Sequence, residues 1–180
     1  MAKTILITGI SASGKSTLGA RLQTNLVGKG LDCVKLLDGE SIRKTLSQSG
    51  KHYGYTMEDR HKVALEIAEM ASELNKNGIN CIICTIAHMR KTRMQMRTIV
   101  GDVMEIYLDC PINICAERDY KDQYAMAFKG SLDNFVGVTE PYQKSKFVDH
   151  ILYTGKDTIE RCSQELFELA IEYFQYSKTD

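Results

Sequence analysis

A chain of 180 residues with 43% apolar side chains has the length and the core-forming material for one domain spanning residues 1–180. Its 23 basic and 23 acidic side chains cancel to a formal net charge of zero, which removes the overall basic field of a nucleic-acid or acidic-membrane binder and leaves anion binding to local patches. Six cysteines are too scattered for a disulfide scaffold, and the short lead Met1-Ala2-Lys3 is neither a signal sequence nor a membrane span, so a cytoplasmic location is expected, without nucleic-acid or membrane partners.

The first strand is expected at Thr4–Ile7, which is β-branched and apolar. It runs into Gly9-Ile-Ser-Ala-Ser-Gly-Lys-Ser16, and a helix then extends from Ser16 to Gly30 with Leu18, Leu22, Leu26 and Val27 at helical spacing. Further strands are predicted at Cys33–Asp38, Ile79–Thr85, Val103–Asp109 and Ile151–Thr154. Helices are predicted at Glu58–Lys76, around Lys91–Val100, at Pro111–Asp119 and from Asp157 to Tyr176. The Glu58 helix carries Val63, Ile67, Met70 and Leu74 on one stripe, with Thr56-x-x-Asp59 as a capping signal. The last helix repeats the pattern with Ile159, Cys162, Leu166, Leu169 and Tyr173. Alternation of this kind predicts an α/β protein with a mostly parallel sheet of about five strands covered on both faces. Cys81-Ile-Ile-Cys84 lies inside a strand and has no second Cys/His pair, so it reads as core rather than as a zinc site.

The spacing G-x-x-x-x-G-K-S after a strand and before a helix is that of a phosphate-binding loop. Gly9 and Gly14 permit the backbone angles that turn successive N–H groups inward around an anion, and the helix start adds partial positive charge. Lys15 then meets the β- and γ-phosphates of a nucleotide, and the Ser16 hydroxyl ligates a bridging magnesium ion. Thr17 is expected to pack or to cap. An ordinary glycine-rich turn could share the glycines, but the Lys-Ser pair and the strand in front argue against it. In open parallel sheets ligands gather beyond the carboxyl ends of strands, which draws attention to Asp38-Gly39-Glu40…Arg43, Ile86-Ala87-His88 and the charged run Glu117–Lys121.

With Leu37-Asp38-Gly39-Glu40…Arg43, Tyr55…Glu58-Asp59-Arg60, Arg118-Asp119-x-Lys121…Tyr124 and Phe135-x-Gly137…Pro141-Tyr142 in this order, the chain resembles the adenylyl-sulfate kinase family from about Lys3 to Tyr142. The resemblance implies a three-layer α/β/α P-loop kinase fold and transfer of the ATP γ-phosphoryl group to the ribose 3′-hydroxyl of adenosine 5′-phosphosulfate. It implies that Gly9, Ser11, Ala12, Ser13, Gly14, Lys15, Ser16 and Thr17, with Arg118 and Lys121 of a lid at about 118–130, bind ATP. By the same likeness Lys15, Asp38 and Glu40 are catalytic, Ser16 and Asp38 hold Mg2+, and Arg43, Tyr55, Arg60, Val63, Ile86, Ala87 and Phe135 receive a small-molecule nucleotide acceptor. A homodimer stays open.

Against that family pattern, Glu40 stands for aspartate, Tyr55 for phenylalanine and Asp122-Gln123 for Gly-Leu in the lid, while Val63 stands for asparagine, Leu65-Glu66 for two arginines and Ala87 for serine. These changes predict a less positive acceptor pocket suited to a non-sulfate nucleotide such as cytidine 5′-diphosphoramidate; adenosine 5′-phosphosulfate itself is the alternative. A regulatory P-loop NTPase is the alternative of another class, but the guanine-reading Asn-Lys-x-Asp is not met by Asn75-Lys76-Asn77-Gly78, which reads as a helix end.

Overall fold

The computed structural model describes residues 2–146 and 148–175. Five parallel strands form one sheet: β1 (Thr4–Thr8), β2 (Val34–Asp38), β3 (Asn80–Cys84), β4 (Val103–Leu108) and β5 (His150–Leu152), in the spatial order β2-β3-β1-β4-β5. The helices are α1 (Lys15–Gly28), α2 (Gly39–Gln48), α3 (Met57–Lys76), α4 (Arg90–Val100), α5 (Ile112–Glu117), α6 (Gln123–Phe128) and α7 (Ile159–Gln175).

Side chains alternate across the sheet, so β1 sends Ile5 and Ile7 to one face and Leu6 to the other. Ile5 and Ile7 join Leu18, Leu22 and Leu26 of α1 and Cys162, Leu166 and Ala170 of α7. Leu6 joins Val63, Ile67 and Ala71 of α3 and Met96 of α4 on the opposite face. The sheet is therefore covered on both sides, as the chain-order alternation predicts. Cys81 and Cys84 are buried free thiols among these side chains.

Boundaries shift by a few residues from the sequence expectations, and Tyr176, the expected end of the last helix, lies outside the described residues. Two elements are additional, α2 and α6. Three residues expected on buried stripes, Val27, Met70 and Ile159, are substantially exposed. On α3 the buried stripe is Val63, Ala64, Ile67, Ala68 and Ala71, and Met70 lies at its rim. Thr56 caps α3 as expected, its hydroxyl accepting from the Asp59 N–H at 3.1 Å.

Because β1 lies between β3 and β4, the loop that leaves its carboxyl end is flanked by the turns that follow both neighbours. The candidate site is assembled there.

Candidate active site

The loop from Gly9 to Ser16 joins β1 to α1. A Cβ at Gly9 would lie 2.9 Å from Ser13 Oγ and 3.0 Å from Leu108 O, so a larger residue would force the loop off the end of β4. Gly14, with φ 101°, is the left-handed N-cap of α1, and the first N–H groups of the helix are left facing the loop. Lys15 Nζ donates to Ile10 O across the loop at 2.6 Å. Burial pulls the Lys15 ammonium down to about 8. Phosphate oxygens would exchange a neutral carbonyl partner for charged ones and raise it again.

Opposite the loop, Asp38 ends β2 and caps α2, its Oδ1 accepting from the N–H groups of Glu40 at 3.2 Å and Ser41 at 3.1 Å. Its other oxygen, Oδ2, accepts from Ser16 Oγ at 2.5 Å. This hydroxyl and carboxylate are hard oxygen donors side by side at the phosphate loop. The pair suits Mg2+, which binds through one or two protein oxygens and completes its shell with phosphates and water. Among the described residues no cluster of three or more His, Cys, Asp or Glu forms a protein cage for a metal. Glu40, in the first turn of α2, pairs with Lys121 Nζ at 2.6 Å and lies 4.0 Å from Lys44 Nζ.

Two adjoining cavities share this centre. The larger, about 880 Å³, runs from the phosphate loop along Thr17, Arg118, Tyr120 and Lys121 to Thr154, Asp157 and Thr158. Thr17 is exposed on its wall and neither packs nor caps, which corrects that expectation. The smaller, about 310 Å³, is lined by Arg43, Tyr55, Arg60, Val63, Ile86, Ala87 and Phe135, which the fold gathers from α2, α3 and three loops. Lys15, Ser16, Asp38, Glu40 and Lys121 line both.

In the smaller cavity Tyr55 is 59% exposed, and the guanidinium groups of Arg43 and Arg60 lie 4.6 Å and 5.3 Å from its ring centroid. Arg43 Nη1 donates to Tyr53 O and Gly54 O, and Arg60 donates from Nε to Tyr55 O and from Nη2 to Asn134 O. Burial lowers the pKa of both arginines, and the Arg43 charge lowers Arg60 further. Two partly desolvated cations that repel each other are stabilised by an anion placed between them. Phe135 forms a cavity wall and also belongs to the core, edge-on to Tyr124 with ring centroids 4.7 Å apart. Val63 and Ala87 make the lining locally apolar.

Leu65 and Glu66 do not line either cavity. Leu65 packs on the α3 side of the core, and Glu66 Oε1 accepts from Lys51 Nζ at 2.6 Å and from the Tyr53 hydroxyl at 3.0 Å. The expectation that this pair strips positive charge from the acceptor pocket is corrected: the Glu66 charge is spent on Lys51 outside it.

Over the larger cavity, Arg118 Nη2 donates to Thr154 O at 2.8 Å and Nη1 to Cys110 Sγ at 3.5 Å. Asp122 adopts the left-handed conformation at φ 56°, a state that glycine enters freely and aspartate tolerates better than most residues. That accounts for how Asp122 fills the place of a lid glycine. Beyond it the segment is fixed, since Tyr124 is buried and its hydroxyl donates to Ser11 O of the phosphate loop at 2.8 Å. Sequence inspection missed this tie between the segment after Asp122 and the phosphate loop, and also Gln123, which lines both cavities. A β-branched residue cannot hold the left-handed angle without strain, so Asp122→Val is expected to cost about 1–3 kcal/mol, read as a drop of several degrees in Tm. An unchanged Tm would show that the left-handed turn is not held in solution.

A strand, phosphate loop and helix, faced by a carboxylate at the next strand's end and joined to a second, cation-lined cavity, define a P-loop kinase, an ATP-dependent phosphotransferase. The family model described as adenylylsulphate kinase matches residues 1–152 of the chain. The adenylyl-sulfate kinase of Halothermothrix orenii is 34% identical over 165 residues, covering 92% of this chain and 87% of its own length. That of Clostridium acetobutylicum is 35% identical over 162 residues, 89% of this chain and 79% of its own. The structure of the Mycobacterium tuberculosis APS kinase in complex with AMPPNP and APS superposes with a TM-score of 0.85 at 30% identity, over 94% of this chain and 97% of that one. The chain belongs to the adenylylsulphate kinase family.

Proposed function

We propose that the protein transfers the γ-phosphoryl group of ATP to the ribose 3′-hydroxyl of adenosine 5′-phosphosulfate. The observation that carries this reading is the pair of guanidinium groups, Arg43 and Arg60, beside an exposed Tyr55 ring, in a cavity that shares Lys15, Asp38 and Glu40 with the phosphate loop. The relatives' own acceptor supports adenosine 5′-phosphosulfate over cytidine 5′-diphosphoramidate. So does the loss of the charge argument at Leu65-Glu66. The apolar lining at Val63 and Ala87 still favours a second acceptor of the cytidine type, since a missing hydrogen bond to a charged group costs about 1.5–3 kcal/mol.

The residues divide the work as follows. Gly9 to Thr17 hold the ATP phosphates, with Lys15 on the β- and γ-phosphates and Arg118 and Lys121 closing over them as water leaves. Ser16 and Asp38 would hold Mg2+, which when bound would supply neutralisation of phosphate charge. Tyr55 and Phe135 offer π-faces to the acceptor base, Arg43 and Arg60 grip its anionic 5′ group, and Glu40 accepts the 3′-hydroxyl proton.

An acceptor panel tests the assignment through kcat/KM for 3′-phosphorylated product with matched adenosine and cytidine compounds. Adenosine 5′-phosphosulfate is expected to exceed cytidine 5′-diphosphoramidate by about tenfold or more. A cytidine acceptor that wins by that factor would reinstate Val63 and Ala87 as specificity determinants.

A further inference from the structure

Arg93 of α4 is 1% exposed, yet every nitrogen of its guanidinium has a partner. Nε donates to Ser145 Oγ at 3.0 Å and lies 3.0 Å from Glu105 Oε1 on β4, itself buried. Nη1 donates to Ala87 O at 2.6 Å, and Nη2 donates to Gln143 O. A buried ion pair of this kind adds little net stability over well-packed apolar residues of the same volume. What distinguishes it is the pair of carbonyls it holds, both on segments outside helix and strand.

Ala87 takes φ 37°, a left-handed angle that a non-glycine residue keeps only when its surroundings impose it. The carbonyl of that strained residue is the one bonded to Arg93. Its neighbour Ile86 is held from the other side, where Thr8 Oγ1 donates to Ile86 O at 2.7 Å and meets the Tyr142 hydroxyl at 2.8 Å. Tyr142 directly precedes Gln143. Ile86 and Ala87 form a wall of the smaller cavity, and Arg93 itself does not line it.

We infer that Arg93 is a positioning residue for the acceptor: its guanidinium fork fixes the Ile86–Ala87 wall in the shape the acceptor nucleotide requires, without touching the nucleotide. The inference rests on the assignment of this cavity to the acceptor. Arg93→Lys keeps the charge and loses the fork. Arg93→Met combined with Glu105→Leu removes both charges and leaves neither ion buried alone; Arg97, 3.6 Å from Glu105 Oε2, keeps Asp149 Oδ2 at 2.6 Å.

Initial rates of ADP formation with ATP and adenosine 5′-phosphosulfate decide the matter. Both variants are expected to raise the acceptor KM tenfold or more while the ATP KM stays within twofold, with the double variant melting within a few degrees of the parent. A double variant that melts with the parent and keeps its acceptor KM overturns the inference and leaves the acceptor assignment standing. An equal rise in both KM values, in either variant, overturns it as well. Should the double variant not fold, Arg93→Lys alone decides by the same split. A parent that turns over no nucleotide acceptor removes the assignment itself, and the inference with it.

Discussion

Replacing Lys15 by alanine is expected to reduce kcat/KM for phosphoryl transfer by about a thousandfold, the loss typical of removing one preorganised charge from a transferring group. The side chain reaches across the phosphate loop to Ile10 O and supports no apolar cluster, so the variant should fold. Its stability carries its own signature. Burial lowers the Lys15 ammonium to about 8 in the folded protein, against 10.5 for the free side chain. Between about pH 8 and pH 10.5 the unfolded chain binds more protons at this position than the folded one, so the contribution of Lys15 to stability rises with pH across that window. Lys15→Ala should remove that slope. ATP adds a second linkage: bound phosphates favour the ammonium, so above about pH 8 binding takes up a proton and ATP affinity falls as pH rises. Turnover within about tenfold of the parent in a folded variant would overturn the role given to the loop.

The phosphate loop was legible because its chemistry demands a local spacing: two glycines, a lysine and a hydroxyl within eight residues. The sheet was legible because buried parallel strands read as continuous apolar runs. Helix α2 was not, since its apolar stripe is a single i,i+4 pair, Ile42 and Leu46, of which only Leu46 is buried. Its signal was a cap rather than a pattern, with Asp38 accepting from Glu40 and Ser41. Helix α6 is six residues long and too short for any period to emerge. Met70 was misplaced because a pattern of large apolar side chains passes over Ala64, Ala68 and Ala71, which share the buried stripe with Val63 and Ile67 and leave Met70 at its rim.

The smaller cavity is a different case. Arg43, Arg60, Ala87 and Phe135 come from distant stretches of chain, and no spacing links them before the sheet does. Resemblance to a family supplied the set, and the fold brings its members to one cavity. The same resemblance misled at Leu65-Glu66, because aligning two positions says nothing about which way a helix turns them. Leu65 packs at the edge of the core, and Glu66 is turned to Lys51 and Tyr53. The Arg93 fork was invisible for a related reason: its partners are main-chain carbonyls, and these leave no trace in a sequence.

Glu40→Gln is the second change expected to have a large effect, lowering kcat by about a hundredfold to ten-thousandfold with ATP affinity changed less than about threefold. Glutamine keeps the length of the side chain and the α2 first turn, where Asp38 accepts from the backbone N–H of residue 40 at 3.2 Å, so the loop geometry should persist. What it removes is the carboxylate charge, which is both the proposed base and half of the ion pair with Lys121, 2.6 Å away. These two losses separate experimentally. Hydrogen bonding to Glu40 raises the Lys121 ammonium pKa, and Lys121→Met breaks the ion pair while leaving the carboxylate in place. If Glu40 served only to hold the lid, Lys121→Met would reproduce the Glu40→Gln defect and the two changes together would cost no more than either alone. If Glu40 accepts the acceptor's proton, Lys121→Met should act mainly on ATP binding, and Glu40→Asp, which restores the carboxylate usual at this place in the family, should recover most of the lost kcat. A parental kcat in Glu40→Gln would reduce this carboxylate to an anchor for the lid.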